Sequence, residues 1–409
     1  MNLHPLIFDI CRAVDNAGGQ AWIVGGAVRD AVMDIESKDL DIEVHRIESD
    51  NLRDMLLRFG HVNAIGKSFG VYKLTNGELD VDISIPRHDN QVGPAHNDVE
   101  IVGNPFMGIE SAARRRDLTI NAIAYDPLRD RFADPFGGIK DIQKGRLVAV
   151  DEKTFPEDPL RVLRVVQFAA RFGFTIQPEL VNLCRKTSLY ALPAERIWGE
   201  FEKLLLLAPI PSIGWKVAHE LDVLDRILPE LATLPTTATE QALNRAAARR
   251  EGLNNQGRQL ALMASAMMHS ATQAQVVASL DRLEVHKLYG FPVRKRIIEA
   301  TAHWKTLSEP AEDHILRRLA EQTEVLLVAE TAYAATGNTT ALANLDRAFR
   351  LGVGIEPMPV LLKGRDLARL GVSPGPDMGA VLNEVREAQI DGVVSDRDAA
   401  ILWLEDYLK

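Results

Sequence analysis

Three short acidic and glycine-containing segments carry the chemistry that this sequence can be read for. In KDLDIEVH, strict alternation puts Asp39, Asp41 and Glu43 on one face of a strand and Leu40, Ile42 and Val44 on the other. Same-face carboxylates about 7 Å apart repel one another, and a divalent cation supplies the missing positive charge. A merely acidic strand face is the plain alternative for an isolated Asp-x-Asp. A second alternating run, ELDVDISI, repeats the pattern with Asp80 and Asp82 opposite Leu79, Val81 and Ile83. Asn76-Gly77 precedes it and predicts a hairpin. A third carboxylate from a neighbouring strand is what a two-metal phosphoryl-transfer site requires. Upstream, IVGGAVRDAVM reads as strand, Gly25-Gly26 turn and helix, with Arg29 one turn in. Glycines let a backbone approach a ligand closely, and helix N–H groups favour phosphate oxygens. No GxxxxGK[ST] is present, so a triphosphate site here lacks a P-loop.

The elements around these residues fall into two regimes. Up to about residue 127, β-branched runs (AWIV at 21–24, DLDIEV at 39–44, GVYKLTNGELDVDISI at 70–85, INAIAYD at 120–126) alternate with helical stretches. The segment 88–108 reads as a polar loop. Beyond about residue 157 the patterns are helical and broken by Gly and Pro. An α+β head followed by an all-helical arm is expected.

GGAVRD, DLDIEV, RRRDLTINAIAYD (114–126), DPFGGIKDI (134–142) and EDPLRVLRVVQFAARFGF (157–174) occur in that order. This motif set resembles the bacterial tRNA nucleotidyltransferase/poly(A) polymerase family, class II, the CCA-adding branch of the polymerase-β-like superfamily. The resemblance covers roughly residues 20–205, and later only KGRDLARLGVSPGPDMG looks similar. It implies a nucleotidyltransferase head (1–127, mixed sheet with helices), a neck (128–208) and a helical body and tail (209–409). By resemblance, Asp39 and Asp41 match the metal-binding pair for two Mg²⁺ ions, and Asp82 the third acidic position. Gly25, Gly26, Arg29 and Asp30 match the triphosphate turn. Arg115, Arg116, Asp117 and Asn121 match the ribose and phosphate motif. Asp134, Gly137 and Gly138 match the hinge between head and neck. Glu157, Asp158 and Arg161 match the amino-acid template for the incoming base, and Arg164 continues that helix face.

The template's chemistry can be read independently. Cytosine and adenine each present an amino donor beside a ring-nitrogen acceptor, which a carboxylate and a guanidinium complement. Uracil and guanine reverse that order, leaving polar groups unpaired. Asp158 and Arg161, three apart near a helix start, can share one face; a surface ion pair is the bland alternative.

The resemblance implies CTP and ATP as substrates and the 3′ end of tRNA as partner. CC-only, A-only and poly(A) addition share these motifs, and a catalytically idle RNA-binding protein is the rival from another class. The segment LALMASAMMHSATQ lacks the His-Asp core of a metal-dependent phosphohydrolase; His88-Asp89 is the one such dipeptide, in the polar segment. GKSFGVYKL (66–74) lacks the basic segment associated with the poly(A) branch.

Composition bounds these readings. In 409 residues there are 47 Lys and Arg against 57 Asp and Glu, so the net charge is −10 and any phosphate binding must rest on local patches. YGFPVRKR (289–296), with Arg294, Lys295 and Arg296, and NRAAARREG (244–252) are the candidate tRNA-binding clusters, although a solvated basic face serves equally well. Cys11 and Cys184 lie far apart in apolar segments, which predicts free thiols and a reducing compartment. The first residues read as a helix on Leu6, Ile7, Ile10 and Val14 rather than a leader, and no apolar run approaches the ~18 residues of a span. A cytoplasmic, membrane-independent protein is expected.

Overall fold

A computed structural model describes the chain except for residues 2, 38, 67–69, 78 and 92–98, and except for the side chains of 65–66, 88–91 and 99–102. The readings placed on 67–69 and on 92–98 lie outside the described residues. The framework separates into two compact units, Met1–Pro193 and Ala194–Lys409. The three-part division drawn at 127/128 and 208/209 is not the one the contacts make. Residues 128–193 pack with the head, and the helix Ala194–Leu207 groups with the later helices.

The first unit is built on a mixed seven-stranded sheet. Its strands are β1 (Gln20–Val24), β2 (Asp41–His45), β3 (His61–Gly66), β4 (Val71–Asn76), β5 (Leu79–Ser84), and two further strands, Ala124–Asp126 and Arg131–Ala133. The spatial order is β3-β4-β5-β2-β1, followed by those two. β2 runs parallel to β5 and antiparallel to β1. β4 and β5 form the expected hairpin, closed by the Asn76–Leu79 pair with Gly77 at φ +61°. Alternation decides which face is buried. Ile42, Val44 and Ile83 have no exposed surface, and Ile7, Ile10 and Val14 of helix α1 (Pro5–Asn16) are equally buried. Leu52 and Leu56 of helix α3 (Ser49–Leu56), which follows helix α2 (Gly26–Val32) in the chain, are buried as well. Full burial of each such side chain contributes about 1.5–3 kcal/mol.

Three local readings are corrected. The strand expected from residue 39 begins at Asp41, leaving Asp39 just outside it. INAIAYD starts as a 3₁₀ turn, Thr119–Asn121, and only Ala124–Asp126 is strand. Residues 88–108 are not simply a loop, because Arg87–Gln91 pairs antiparallel with Val99–Gly103.

Helix α4 (Ile109–Ala113) leads into the arginine-rich segment, and helix α5 (Gly138–Gln143) follows the Asp134–Gly138 turn. Asp134 caps α5, accepting from Gly138 N at 2.7 Å and Ile139 N at 3.0 Å. Gly137 sits in the left-handed region at φ +74°, and a Cβ on Gly138 would lie 2.1 Å from the Thr119 carbonyl oxygen. The segment assigned as a hinge is therefore a tightly capped turn seated on Thr119, whose Oγ1 also donates to Asp141 at 2.6 Å. Helix α6 (Leu160–Phe172) follows, with Asp158 Oδ1 accepting from Leu160 N and Gly173 ending it at φ +68°.

The regular elements of the second unit are all helices. Its core includes the helix Gln256–Met268, where Leu260–Ala264 and Ala266–Met268 are buried. Cys11 and Cys184 are free and buried, and burial pushes the Cys11 thiol up to about 12. No helix among the described residues is long and apolar enough to cross a membrane.

Gly138→Ala should lower the apparent Tm of the first unit by an amount corresponding to about 1–3 kcal/mol, because its methyl meets backbone. Gly137→Asn, whose Cβ meets nothing within 4 Å, should cost much less; thermal melts of the two variants check this.

Candidate active site

The parallel register of β2 and β5 places Asp41 opposite Asp82. Both lie on the sheet face opposite Ile42 and Ile83, and both side chains are open to solvent. Gly25 closes the end of β1 at φ +75°; a Cβ there would stand 3.1 Å from Arg116 Nη1 and 3.4 Å from Asp41 Oδ2. The missing side chain thus leaves the Gly25–Gly26 turn against the carboxylate. A cleft of ≈ 350 Å³ opens here, lined among others by Asp41, Glu43, Asp82, Arg87, Arg115 and Arg116.

Its electrostatics are crowded. Asp41 still reaches solvent, but the protein around the cleft costs its carboxylate part of its hydration and raises the carboxyl above the usual range; Arg116 opposes this, while Asp82 and Asp39 add to it by repulsion. Glu43, one alternation further along β2, is held below the ordinary range. Burial raises it, but a hydrogen bond from His45 and the charges of Arg116 and Arg115 outweigh that. His45 Nε2 lies 3.0 Å from Glu43 Oε1 and its Nδ1 2.8 Å from the Met107 carbonyl. Burial, with Arg87 and Arg161 nearby, brings Arg115 down to about 10, and its Nη1 donates to the Arg87 carbonyl. Sequence reasoning did not assign Glu43, His45 and Arg87 to the site. The alternation that placed Glu43 beside Asp41 was the available signal for the first two.

Other expected site residues form a buried network. Arg29, 4% exposed, donates Nε and Nη2 to Asp30 Oδ1 at 2.8 and 2.6 Å, and Nη1 to Asn121 Oδ1 at 2.7 Å. Asn121 Nδ2 donates to Asp117 Oδ1 at 3.0 Å, and Arg164 Nε to Asp117 Oδ2 at 2.6 Å. Arg171 Nη2 stands 3.7 Å from Asp30 Oδ2. Arg29, Asp30, Asp117, Asn121 and Arg164 therefore spend these hydrogen bonds on one another. Burial lowers the Arg29 guanidinium despite Asp30. Asp117 is raised by burial but drawn lower still by Arg164 and Asn121, so it ends below the ordinary carboxylate range.

Arg161 donates Nη1 to the Thr154 carbonyl at 2.7 Å and Nη2 to the Arg115 carbonyl at 2.5 Å. This fixes its guanidinium beside the arginine segment, and burial lowers its pKa. Asp158 is extended and precedes α6 rather than sharing a helical face with Arg161, while Glu157 is exposed.

The basic residues of the second unit have acidic or main-chain partners, some of them at the surface: Lys295 and Asp281 are largely exposed. Arg294 pairs with Asp281 at 2.8 Å, Arg296 with Glu299 at 2.9 Å, and Lys295 lies 3.6 Å from Glu299. In 244–252, Arg245 donates to the Ala334 and Ala335 carbonyls, Arg249 pairs with Glu330, and Arg250 donates to the Leu205 and Ala208 carbonyls. The second cluster is thus structural.

For a metal, the donor set of Asp41 and Asp82, with Asp39 just ahead of β2, is all oxygen and net negative, which suits a hard divalent cation. Among the described residues, no three acidic, His or Cys side chains already converge as a closed metal cage. The residues fit an open site completed by a ligand's own oxygens.

A mixed sheet that joins two acidic strands beside a Gly-Gly turn, followed by helices, defines a polymerase-type head with a helical arm. Residues 21–148 match the poly A polymerase head domain. Residues 173–234 match the segment described as the probable RNA and SrmB-binding site of polymerase A. The CCA-adding enzyme of Actinobacillus succinogenes is 37% identical over 229 residues, 54% of this chain and 55% of the relative. The multifunctional CCA protein of Tolumonas auensis is 36% identical over 222 residues, 53% and 52% of the two chains. The chain spans about half the length of the curated relatives it matches. The solved Bacillus stearothermophilus CCA-adding enzyme in complex with CTP aligns over 99% of this chain and 98% of that one, with TM-score 0.74 and 23% identity. The Thermotoga maritima CCA-adding enzyme complexed with tRNA covers 100% and 97%, with TM-score 0.66 and 21% identity. At these identities the likeness establishes the fold.

Asp82→Asn should lower the Asp41 pKa and Arg116→Ala should raise it, as read by carboxyl-carbon NMR titration. Asp117→Asn should destabilise the first unit by roughly 2–4 kcal/mol near neutral pH. Because folding holds the Asp117 carboxyl below its ordinary pKa, this stabilisation is complete above the ordinary value and lost as pH falls through the folded one. The wild-type advantage over the variant should shrink on acidification, as measured in urea melts.

Proposed function

We propose that the chain is a template-independent nucleotidyltransferase that builds or repairs the 3′-terminal CCA of tRNA, using CTP and ATP and two Mg²⁺ ions. The observation that carries this reading is the Asp41–Asp82 register beside the Gly25 turn. The curated relatives named above support the choice of substrates.

Bound to Asp41 and Asp82, with Asp39 beside them, the ions would supply Lewis-acid activation of the tRNA 3′-hydroxyl and charge neutralisation on the triphosphate. Gly25, having no side chain, admits the triphosphate against β2. Arg116 and Arg115 face the same cleft and offset the anion's charge. The 3′-oxygen loses its proton and forms a bond to the α-phosphorus; the α–β phosphoanhydride bond breaks and pyrophosphate leaves. Arg161, held by two main-chain carbonyls, keeps its remaining N–H groups for a base edge, and Asp158 offers the complementary acceptor. Ordering of such a fork before the nucleotide arrives reduces the entropy lost on binding.

Transcripts of tRNA ending at the discriminator base, at C and at CC, given labelled CTP, ATP or both, test the reading. Addition of C, C and A that then stops is expected. C-only or A-only addition would make it half of a split pathway, unlimited A would make it a poly(A) polymerase, and no incorporation would leave an RNA-binding protein. Asp41→Ala should reduce incorporation at least about 100-fold, the scale on which loss of a charge-stabilising group acts. Arg161→Ala should cut the preference for CTP over UTP by about 10-fold or more; equal loss for all four nucleotides would contradict the template role.

A further inference from the structure

Two guanidiniums lie over the ring of Phe168: Arg29 Cζ is 5.1 Å and Arg164 Cζ 5.0 Å from its centroid. The same two arginines are also joined through hydrogen bonds, Arg29 to Asn121, Asn121 to Asp117, and Asp117 to Arg164. The contacts close into a ring that draws on α2, the Thr119–Asn121 turn and α6. Phe168, Arg29 and Asn121 are each 4% exposed and Asp117 6%, while the Arg164 side chain is 31% exposed, so water competes least on the Arg29 side. Cation–π attraction grows when the partners are desolvated. A second aromatic, Phe172, lies 4.8 Å from Arg29 Cζ and stacks on Phe168 with centroids 5.7 Å apart. Arg29 follows the Gly25–Gly26 turn directly, and Arg164 lies three residues after Arg161 on α6. The aromatic side of the ring therefore connects the turn beside Asp41 to the helix that carries the base-reading arginine.

We propose that Phe168 is a positioning residue for nucleotide selection, its ring face setting the separation between the triphosphate turn and the base-reading face of α6. The role rests on the nucleotidyl-transfer reading above, since it needs a triphosphate at one end and a base at the other. A residue that only filled the core would lower the active fraction for every nucleotide alike. A residue that sets this separation changes how well the base is read once the triphosphate is seated. Leu at this position keeps most of the apolar bulk but has no ring face, whereas Tyr keeps the face.

The test uses the full chain with Mg²⁺ and compares wild type, Phe168→Leu and Phe168→Tyr. Calorimetry gives Kd for CTP, UTP and inorganic tripolyphosphate, and incorporation assays give kcat and KM for CTP and UTP. For Phe168→Leu the preference for CTP over UTP should fall about 10-fold, the size expected for losing a buried cation–π pair. Tripolyphosphate affinity should stay within about 2-fold, and the loss should fall mainly on KM for CTP. Phe168→Tyr should keep the wild-type preference. If Phe168→Leu does not fold, Phe168→Met gives the same comparison with an unbranched apolar chain. An unchanged CTP:UTP ratio, or equal weakening of all three ligands, overturns the proposal. Wild-type protein that binds and discriminates nucleotides but incorporates none would overturn the functional reading alone, and the binding comparison would still decide the role of Phe168.

Discussion

The parallel pairing of β2 with β5 imposes a constraint that the surrounding structure must satisfy. Ile42 and Ile83 are register partners with no exposed surface, and the next pair toward the strand start is Asp41 with Asp82. With a side-chain period of two, the register that buries the isoleucines necessarily faces two carboxylates toward each other. A one-residue slip would expose the apolar set and bury the acids. Hydrophobic burial on one face therefore holds together a charge arrangement that electrostatics alone would disperse. Much of the local architecture answers that repulsion: Arg116 stands against Gly25, Arg115 lines the same cleft, and the cleft stays open to a cation or an anion carrying one.

The second theme is the burial of guanidinium groups by pairing. Arg29 is withdrawn from water almost entirely, which its pairing with Asp30, Asn121, Phe168 and Phe172 makes tolerable. Arg164 shares Asp117 and Phe168 with the same network. These contacts knit α6 to the head, so residues 128–193 form one compact unit with the sheet. The second unit follows the same rule with a different result. Arg245, Arg249 and Arg250 serve carbonyls and Glu330, and Arg258 pairs with Glu324, so arginines that look like a basic surface in sequence act as internal fasteners.

Strand patterns were legible in sequence wherever burial is one-sided. Alternation located β1, β2 and the β4–β5 hairpin to within a residue or two, and helical spacing located α1. The fold class was likewise readable. The reading failed where hydrogen bonding rather than hydrophobic period decides the backbone: the Thr119–Asn121 turn inside INAIAYD, and the paired strands around 87–103. Alternation also fixed the acidic faces of β2 and β5, because the period-two rule needs no partner to be known.

The sequence by itself determined which residue types are available and which face each occupies: carboxylates opposite isoleucines, a glycine pair after β1, and a helix opening near Asp158. Tertiary structure alone decided their partners. It set Asp41 against Asp82 across 41 residues of chain. It turned Asp30, Asp117 and Asn121 inward to hold guanidiniums, placed Phe168 against two of them, and made the Asp134–Gly138 segment a capped turn pressed on Thr119. Local periodicity fixes orientation because it follows from backbone geometry. Pairing is fixed by long-range packing and by the cost of leaving a buried charge or donor unmatched, and neither is written in any short stretch of chain.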